Sequence, residues 1–161
     1  MMGVCPRFLL ILGLAMATST VNFISYNSTG LDTVKTKWVR DLSDTTNTPF
    51  IGIQEHFKSN KNTEKYFQDQ FPSFNSHVTP GFREPGINAG RPKGGLAQLI
   101  DKRFKMIKNK ISVNNSRVQA QILQLPTTHL LWINAYFPTD SGAINMNIEN
   151  ENELLTLLRE N

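Results

Sequence analysis

The chain has 161 residues, of which 39% are hydrophobic and 19% charged, with a net charge of +4. That length supports one domain with a real core, and the composition excludes wholesale disorder. The single cysteine, Cys5, excludes an internal disulfide, and no Cys/His spacing of a zinc site occurs, so a bound metal would have to take oxygen ligands.

The N-terminal stretch MMGVCPRFLLILGLAMATST has one basic residue, Arg7, followed by an apolar run from Phe8 to Ala17 with Ala15-Met16-Ala17 as a small-x-small site. Over residues 1–19 it fits either a secretory signal or an upstream apolar segment. The run is shorter than the roughly 20 apolar residues of a membrane span, so no membrane partner is implied. Localisation depends on that choice: secreted if the signal is used, nuclear or cytoplasmic otherwise. Two sequons, Asn27-Ser28-Thr29 and Asn114-Asn115-Ser116, could carry glycans in the secreted case.

Val21 to Tyr26 alternates apolar and polar residues and predicts a strand, with a polar turn through Asn27 to Gly30. Asp32 is then the expected N-cap of a helix with Val34, Trp38, Val39 and Leu42 at helical spacing. Phe50 to Gln54 predicts a second strand, and Thr63 to Phe71 a second helix with Tyr66, Phe67 and Phe71 on one side. Phe74 to Val78 is strand-like, Thr79 to Gly95 is a Gly/Pro-rich loop, and Leu96 to Ile100 is a strand behind the double glycine. Lys102, Arg103, Lys105, Lys108 and Lys110 form a basic connector, read as a solvated edge or turn. Arg117 to Leu125 and Leu130 to Phe137 both alternate around Pro126-Thr127-Thr128, which predicts a hairpin. MNIENENELLTLLREN ends the chain as an amphipathic helix. The order implies a mixed α/β fold with a partly antiparallel sheet.

Of the thirteen carboxylates, Glu55 alone directly terminates a buried apolar strand. Charged groups are almost never fully buried without a partner, so Glu55 either sits in water past the strand end or is held there for a cation. Asn27 ends the first strand in the same way, and Tyr136 lies near the end of the last. Strand ends of α/β sheets gather ligands, and a carboxylate beside an amide is an oxygen-donor start for Mg²⁺.

ISYNSTGL, PFIGIQEHF, GRPKGGLAQL and LLWINAYFPTD come one after another in the order seen in the endonuclease/exonuclease/phosphatase superfamily. Over about residues 20–161 the chain resembles, in particular, the N-terminal part of the endonuclease domain of the non-LTR retrotransposon reverse-transcriptase polyprotein. The resemblance implies the N-terminal half of a four-layer, deoxyribonuclease I-like α/β sandwich and a Mg²⁺-assisted attack of water on a DNA phosphodiester. It makes Glu55 the metal-binding glutamate, Asn27 an orienting group for metal site and phosphate, and Tyr136 a contact of the scissile phosphate. Thr139 falls where many relatives place an asparagine and is carried over as a substrate contact.

The sequence contains neither the family's Gly-Asp-x-Asn nor its Ser-Asp-His. The resemblance therefore implies a partial domain, inactive alone, whose partner would be the missing C-terminal half. A secreted nuclease or phosphodiesterase of the same superfamily and a non-catalytic nucleic-acid-binding remnant are the alternatives. His56, His77 and His129 are expected to be packing or surface residues. A half-sandwich also predicts a sheet whose inner apolar face lacks its cover, and with it marginal stability or aggregation.

Overall fold

The structure is a computed structural model that describes residues 9–16, 19–59, 61–83, 90–106, 117–125 and 128–137, together with 152, 155, 156 and 159. Its main sheet has five strands in the order β1-β2-β3-β5-β4: β1 Leu9–Met16, β2 Ser19–Asn27, β3 Phe50–Gln54, β4 Phe74–Thr79 and β5 Leu96–Asp101. Only β2 and β3 run parallel, joined by helix α1 (Thr33–Thr46) as a crossover; the other pairs are antiparallel. Helix α2 (Thr63–Gln70) links β3 to β4. A second, three-stranded sheet is built from β6 Lys105–Met106, β7 Val118–Gln124 and β8 His129–Ala135. The apolar segment at residues 9–16, signal-like in sequence, lies antiparallel along β2 with Leu9 opposite Tyr26.

Helix α1 starts where its cap chemistry dictates: the Asp32 carboxylate accepts from the Lys35 N–H at 2.8 Å. Its buried face differs in part from the expected one. Val39 is buried and Leu42 packs on the same core as expected, but Val34 and Trp38 are exposed, at 76% and 44%, and Thr36 and Ser43 are buried instead. Those two hydroxyls fit inside because each donates a hydrogen bond, Thr36 to the Asp32 carbonyl and Ser43 to the Thr48 carbonyl. Trp38 instead leans on the Tyr26 ring.

Alternation along the central strands sorts two cores. Ile24, Ile51, Ile53, Ala97 and Leu99 face the helices and meet Val39, Phe67 and Phe71. Phe50 and Ile100 point the other way, with Phe23 stacked on Phe50 at 4.9 Å between ring centres. That second face was expected to stand bare, and it does not. Leu123, Leu125, Leu130 and Trp132 of the β7–β8 hairpin cover it, with Trp132 5.8 Å from the Phe50 ring. The hairpin lies far along the chain from β3, so its docking was invisible to local patterning. Covering each large side chain contributes about 1.5–3 kcal/mol, in full only where burial is complete; Val21, Phe23, Leu130 and Trp132 are partly buried.

Between the sheets runs a seam of amides. Asn134 donates to the Ile53 carbonyl at 3.3 Å and the Ala97 carbonyl at 3.1 Å, and its own oxygen accepts from Gln54. Gln98 donates to the Trp132 carbonyl and Gln119 to the Thr79 hydroxyl at 2.8 Å. Gly52 lies beneath Asn134, where a Cβ would sit 3.2 Å from the Asn134 oxygen and press that side chain by a few tenths of an ångström. These bonds tie β8 to β3 and β5, and so hold the C-terminal ends of β3 and β8 in a fixed relation. The C-terminal helix predicted from sequence is described only at Asn152, Leu155, Thr156 and Arg159, which are helical.

Candidate active site at the strand ends

The parallel pairing of β2 and β3 sets Asn27 opposite Gln54, which brings the loops after both strands to one end of the sheet. Backbone bonding continues past the strands. Ser28 N–H donates to the Gln54 carbonyl, Gly30 N–H to the Glu55 carbonyl at 2.7 Å, and Leu31 N–H to the His56 carbonyl. The Ser28 hydroxyl reaches the carbonyls of Gln54 and Glu55, and the Lys35 ammonium closes the turn on the Ser28 and Gly30 carbonyls at 2.9 and 2.8 Å. Asn27 folds its side-chain oxygen back onto the Thr29 N–H at 3.1 Å.

Glu55 itself adopts φ +54°, the left-handed region that side chains beyond Cβ rarely occupy. Such a residue costs of order 1–3 kcal/mol, and persists only where its surroundings over-determine it. Here the surroundings are the Ser28 and Gly30 bonds on one side and the His56 and Phe57 bonds to Gly95 and Gly94 on the other. The turn breaks strand alternation, leaving Glu55 half-buried while His56 is sealed inside.

His56 behaves as the packing residue expected from sequence. It is 1% exposed, edge-on to Phe67, and its ring rests on Gly95, where a Cβ would come within 2.4 Å of it. Nδ1 accepts from the Lys58 N–H at 3.0 Å, and Nε2 meets the Thr79 carbonyl at 3.2 Å, which assigns the neutral tautomer with the proton on Nε2. Burial, opposed by the Thr79 and Leu96 carbonyls and aided by Lys58, lowers its pKa to about 4. His77 lies half-buried on β4, and His129 is exposed at the start of β8.

Tyr136 comes directly after β8, and its N–H donates to the Arg117 carbonyl at 2.9 Å. Arg117 is the residue that sequence reading missed. Its guanidinium lies 5.7 Å from the Tyr136 ring centre and 5.5 Å from that of Phe82, and it is buried to 9% exposure. Burial lowers its pKa, against the opposing fields of Tyr136 and Glu55. Arg117 thus sits against Tyr136 and within the field of Glu55. The one signal for it was a cation opening an alternating strand, which the hairpin reading passed over.

Asn27 ends β2 opposite Gln54, the residue before Glu55, and Tyr136 follows β8 beside Arg117; Thr139 lies outside the described residues. Lys35, Arg91 and Arg117 surround them, with Arg91 4.3 Å over the Phe57 ring and beside Gly30. Among the described residues no group of three or more His, Cys, Asp and Glu gathers. Glu55 is the site's carboxylate among those residues, set within a cationic rim.

No family model and no curated protein sequence matches the chain. Solved structures do. The catalytic domain of human Nocturnin, with a bound sulfate anion, superimposes at TM-score 0.65 with 10% identity, over 93% of this chain and 61% of that one. The endonuclease domain of TRAS1, a telomere-specific non-LTR retrotransposon, gives TM-score 0.53 and 13% identity over 86% of this chain and 52% of that one. TDP2 from Caenorhabditis elegans gives 0.59 and 16% over 87% and 42%. The fold is part of the deoxyribonuclease I-like α/β sandwich. The chain spans between 42% and 61% of the length of these three structures.

Proposed function

We propose that this chain supplies the Glu55-centred part of a Mg²⁺-dependent phosphodiesterase domain of the kind that nicks DNA for non-LTR retrotransposons. The observation that carries the reading is Glu55 itself. Its backbone is held in the left-handed region at a strand end by bonds to its own carbonyl and from its neighbours, and its side chain is half-buried there. The likeness to the TRAS1 endonuclease domain supports a DNA substrate, and the sulfate bound by the Nocturnin domain supports a phosphate-binding fold end.

One half-buried carboxylate just past the end of β3, with Asn27 ending the neighbouring parallel strand, suits a hard divalent cation that keeps waters and takes substrate phosphate. When bound, that ion would stabilise charge on the phosphoryl oxygens. The chain's own residues do the rest. Glu55 would hold the cation, Tyr136 would donate its hydroxyl to a phosphoryl oxygen, and Asn27 and Thr139 would orient the phosphate. Arg117 offsets the negative charge of Glu55 and fixes the Tyr136 ring. Because Gly-Asp-x-Asn and Ser-Asp-His are absent from the sequence, cleavage is expected only when those groups are supplied.

The cationic rim also supports a second reading, a nucleic-acid-binding chain without cleavage. Fluorescence anisotropy with labelled duplex DNA at rising salt separates the two. Binding strengthened by Mg²⁺ and weakened by Glu55→Gln supports the metal site. Salt-sensitive binding that ignores both Mg²⁺ and Glu55→Ala supports the second reading. No binding at low salt refutes both.

A further inference from the structure

Beside the Glu55 end, an open groove of about 800 Å³ runs between α2 and the loop after β4. Phe57, Lys58, Asn62, Tyr66, Arg83 and Pro92 line it. We infer that this groove is a subsite for a phosphate of the nucleic-acid strand flanking the scissile bond, with Lys58 and Arg83 as its cations and Tyr66 as the surface beneath. The inference rests on the proposed nucleic-acid function and names a contact that function does not contain.

Continuity with Glu55 comes first. Phe57 adopts φ +57° and turns the chain so that Lys58 enters the groove directly after the candidate site. Gly81 N–H then donates to the Lys58 carbonyl at 2.7 Å, and Phe82 pairs with Lys93 in both directions at 2.9 Å. That pinning sets the loop bearing Arg83 as the opposite wall. A Cβ on Gly81 would meet the Lys93 carbonyl at 2.8 Å, so the close approach needs glycine.

Preorganised charge comes second. The Lys58 ammonium stands 3.9 Å over the Tyr66 ring centre, and the Tyr66 hydroxyl is itself anchored 2.8 Å from the Thr36 hydroxyl. A flexible lysine normally loses rotamer entropy on binding an anion; one already seated on an anchored ring loses less. Burial lowers the Lys58 pKa against the field of Asp32, so this cation is short of solvation. The carboxylate within the groove, Asp69, is taken up by Lys65 at 2.8 Å. A partly buried cation seated on a ring, in a groove that also presents the Arg83 guanidinium with one nitrogen on the Gly90 carbonyl, suits a phosphate oxygen. The volume lies within the ~300–1,000 Å³ range of ordinary ligand sites.

The test uses the whole chain and a fluorescein-labelled eight-residue oligothymidylate, read by anisotropy from 50 to 300 mM salt (conditions chosen on the order of the usual range). The Lys58→Gln/Arg83→Gln double variant should bind about tenfold or more weakly, with a salt slope shallower by about 0.7, the value for one single-strand phosphate contact. In the unmodified protein, a 5-iodouridine oligonucleotide should crosslink to the peptide carrying Tyr66 or Phe57. Unchanged affinity and slope in the double variant, or crosslinks confined to other peptides, would overturn the subsite. Failure of the metal reading looks different: the Mg²⁺ response is absent, while oligothymidylate binding and its loss in the double variant remain.

Discussion

Acidification should destabilise this protein through His56. The ring is buried and neutral, and protonating Nδ1 would destroy its bond from the Lys58 N–H. Its pKa is lowered from 6.5 to about 4 when folded, first by burial. Above pH 6.5 neither state carries the proton, and the group is neutral to stability. As pH falls from 6.5 towards 4 the unfolded chain takes up a proton that the folded chain refuses, so stability falls through that window and levels off below it. The full loss is about 3 kcal/mol, since each pKa unit corresponds to about 1.4 kcal/mol. Urea unfolding at pH 7.5, 5.5 and 4.5 measures it, with His56→Gln as the comparison because an amide donates and accepts without titrating. The wild type should lose about 3 kcal/mol more than the variant across the window. Equal losses, or a His56 ring titration by NMR centred near 6.5, would refute the reasoning.

Three further substitutions probe the framework. Asn134→Ala removes three hydrogen bonds at the inter-sheet seam and should cost about 3 kcal/mol at roughly 1 kcal/mol each, measured by urea unfolding. Gly90 and Gly95 share φ +91°, but nothing lies within 4 Å of a Cβ at Gly90, whereas the His56 ring lies within 2.4 Å of one at Gly95. Gly90→Ala should therefore lower stability by only about 1 kcal/mol, and Gly95→Ala by several times as much, seen as a wide gap in melting temperature. Glu55→Gly should raise stability by about 0.5–1 kcal/mol by relieving the left-handed backbone, while weakening Mg²⁺-dependent DNA binding. A stability loss there would mean that the carboxylate itself supports the fold.

The range of an interaction decided how legible it was in the sequence. Strand β3 has the bounds expected from its apolar run, and Asp32 caps α1 as its position implies, since both depend on near neighbours. Apolar spacing misplaced part of the buried face of α1 because Thr36 and Ser43 are admitted by hydrogen bonds that no hydropathy pattern records. In RVQAQILQL the alternation was visible, yet Gln119 and Gln121 are buried rather than in water, while Gln124 is exposed. Gln119 and Gln121 are buried because strands of the first sheet lie opposite them. The cover over Phe50 and Ile100 was missed for the same reason of sequence distance. At the site, Asn27 and Glu55 were legible as polar residues ending apolar runs. The left-handed turn at Glu55 was not, because neighbouring loops impose it, and Arg117 reaches the site only through the packing of one sheet on the other.

The most direct measurement is the melting temperature across a MgCl₂ titration, for the wild type and for Glu55→Gln. A ligand present at 100 times its dissociation constant stabilises a protein by about 2.7 kcal/mol, so the wild-type melt should climb with Mg²⁺ by several degrees. Glu55→Gln should melt normally without Mg²⁺ and fail to climb. A wild type that ignores Mg²⁺, or a variant that climbs as the wild type does, would contradict Glu55 as the ligand.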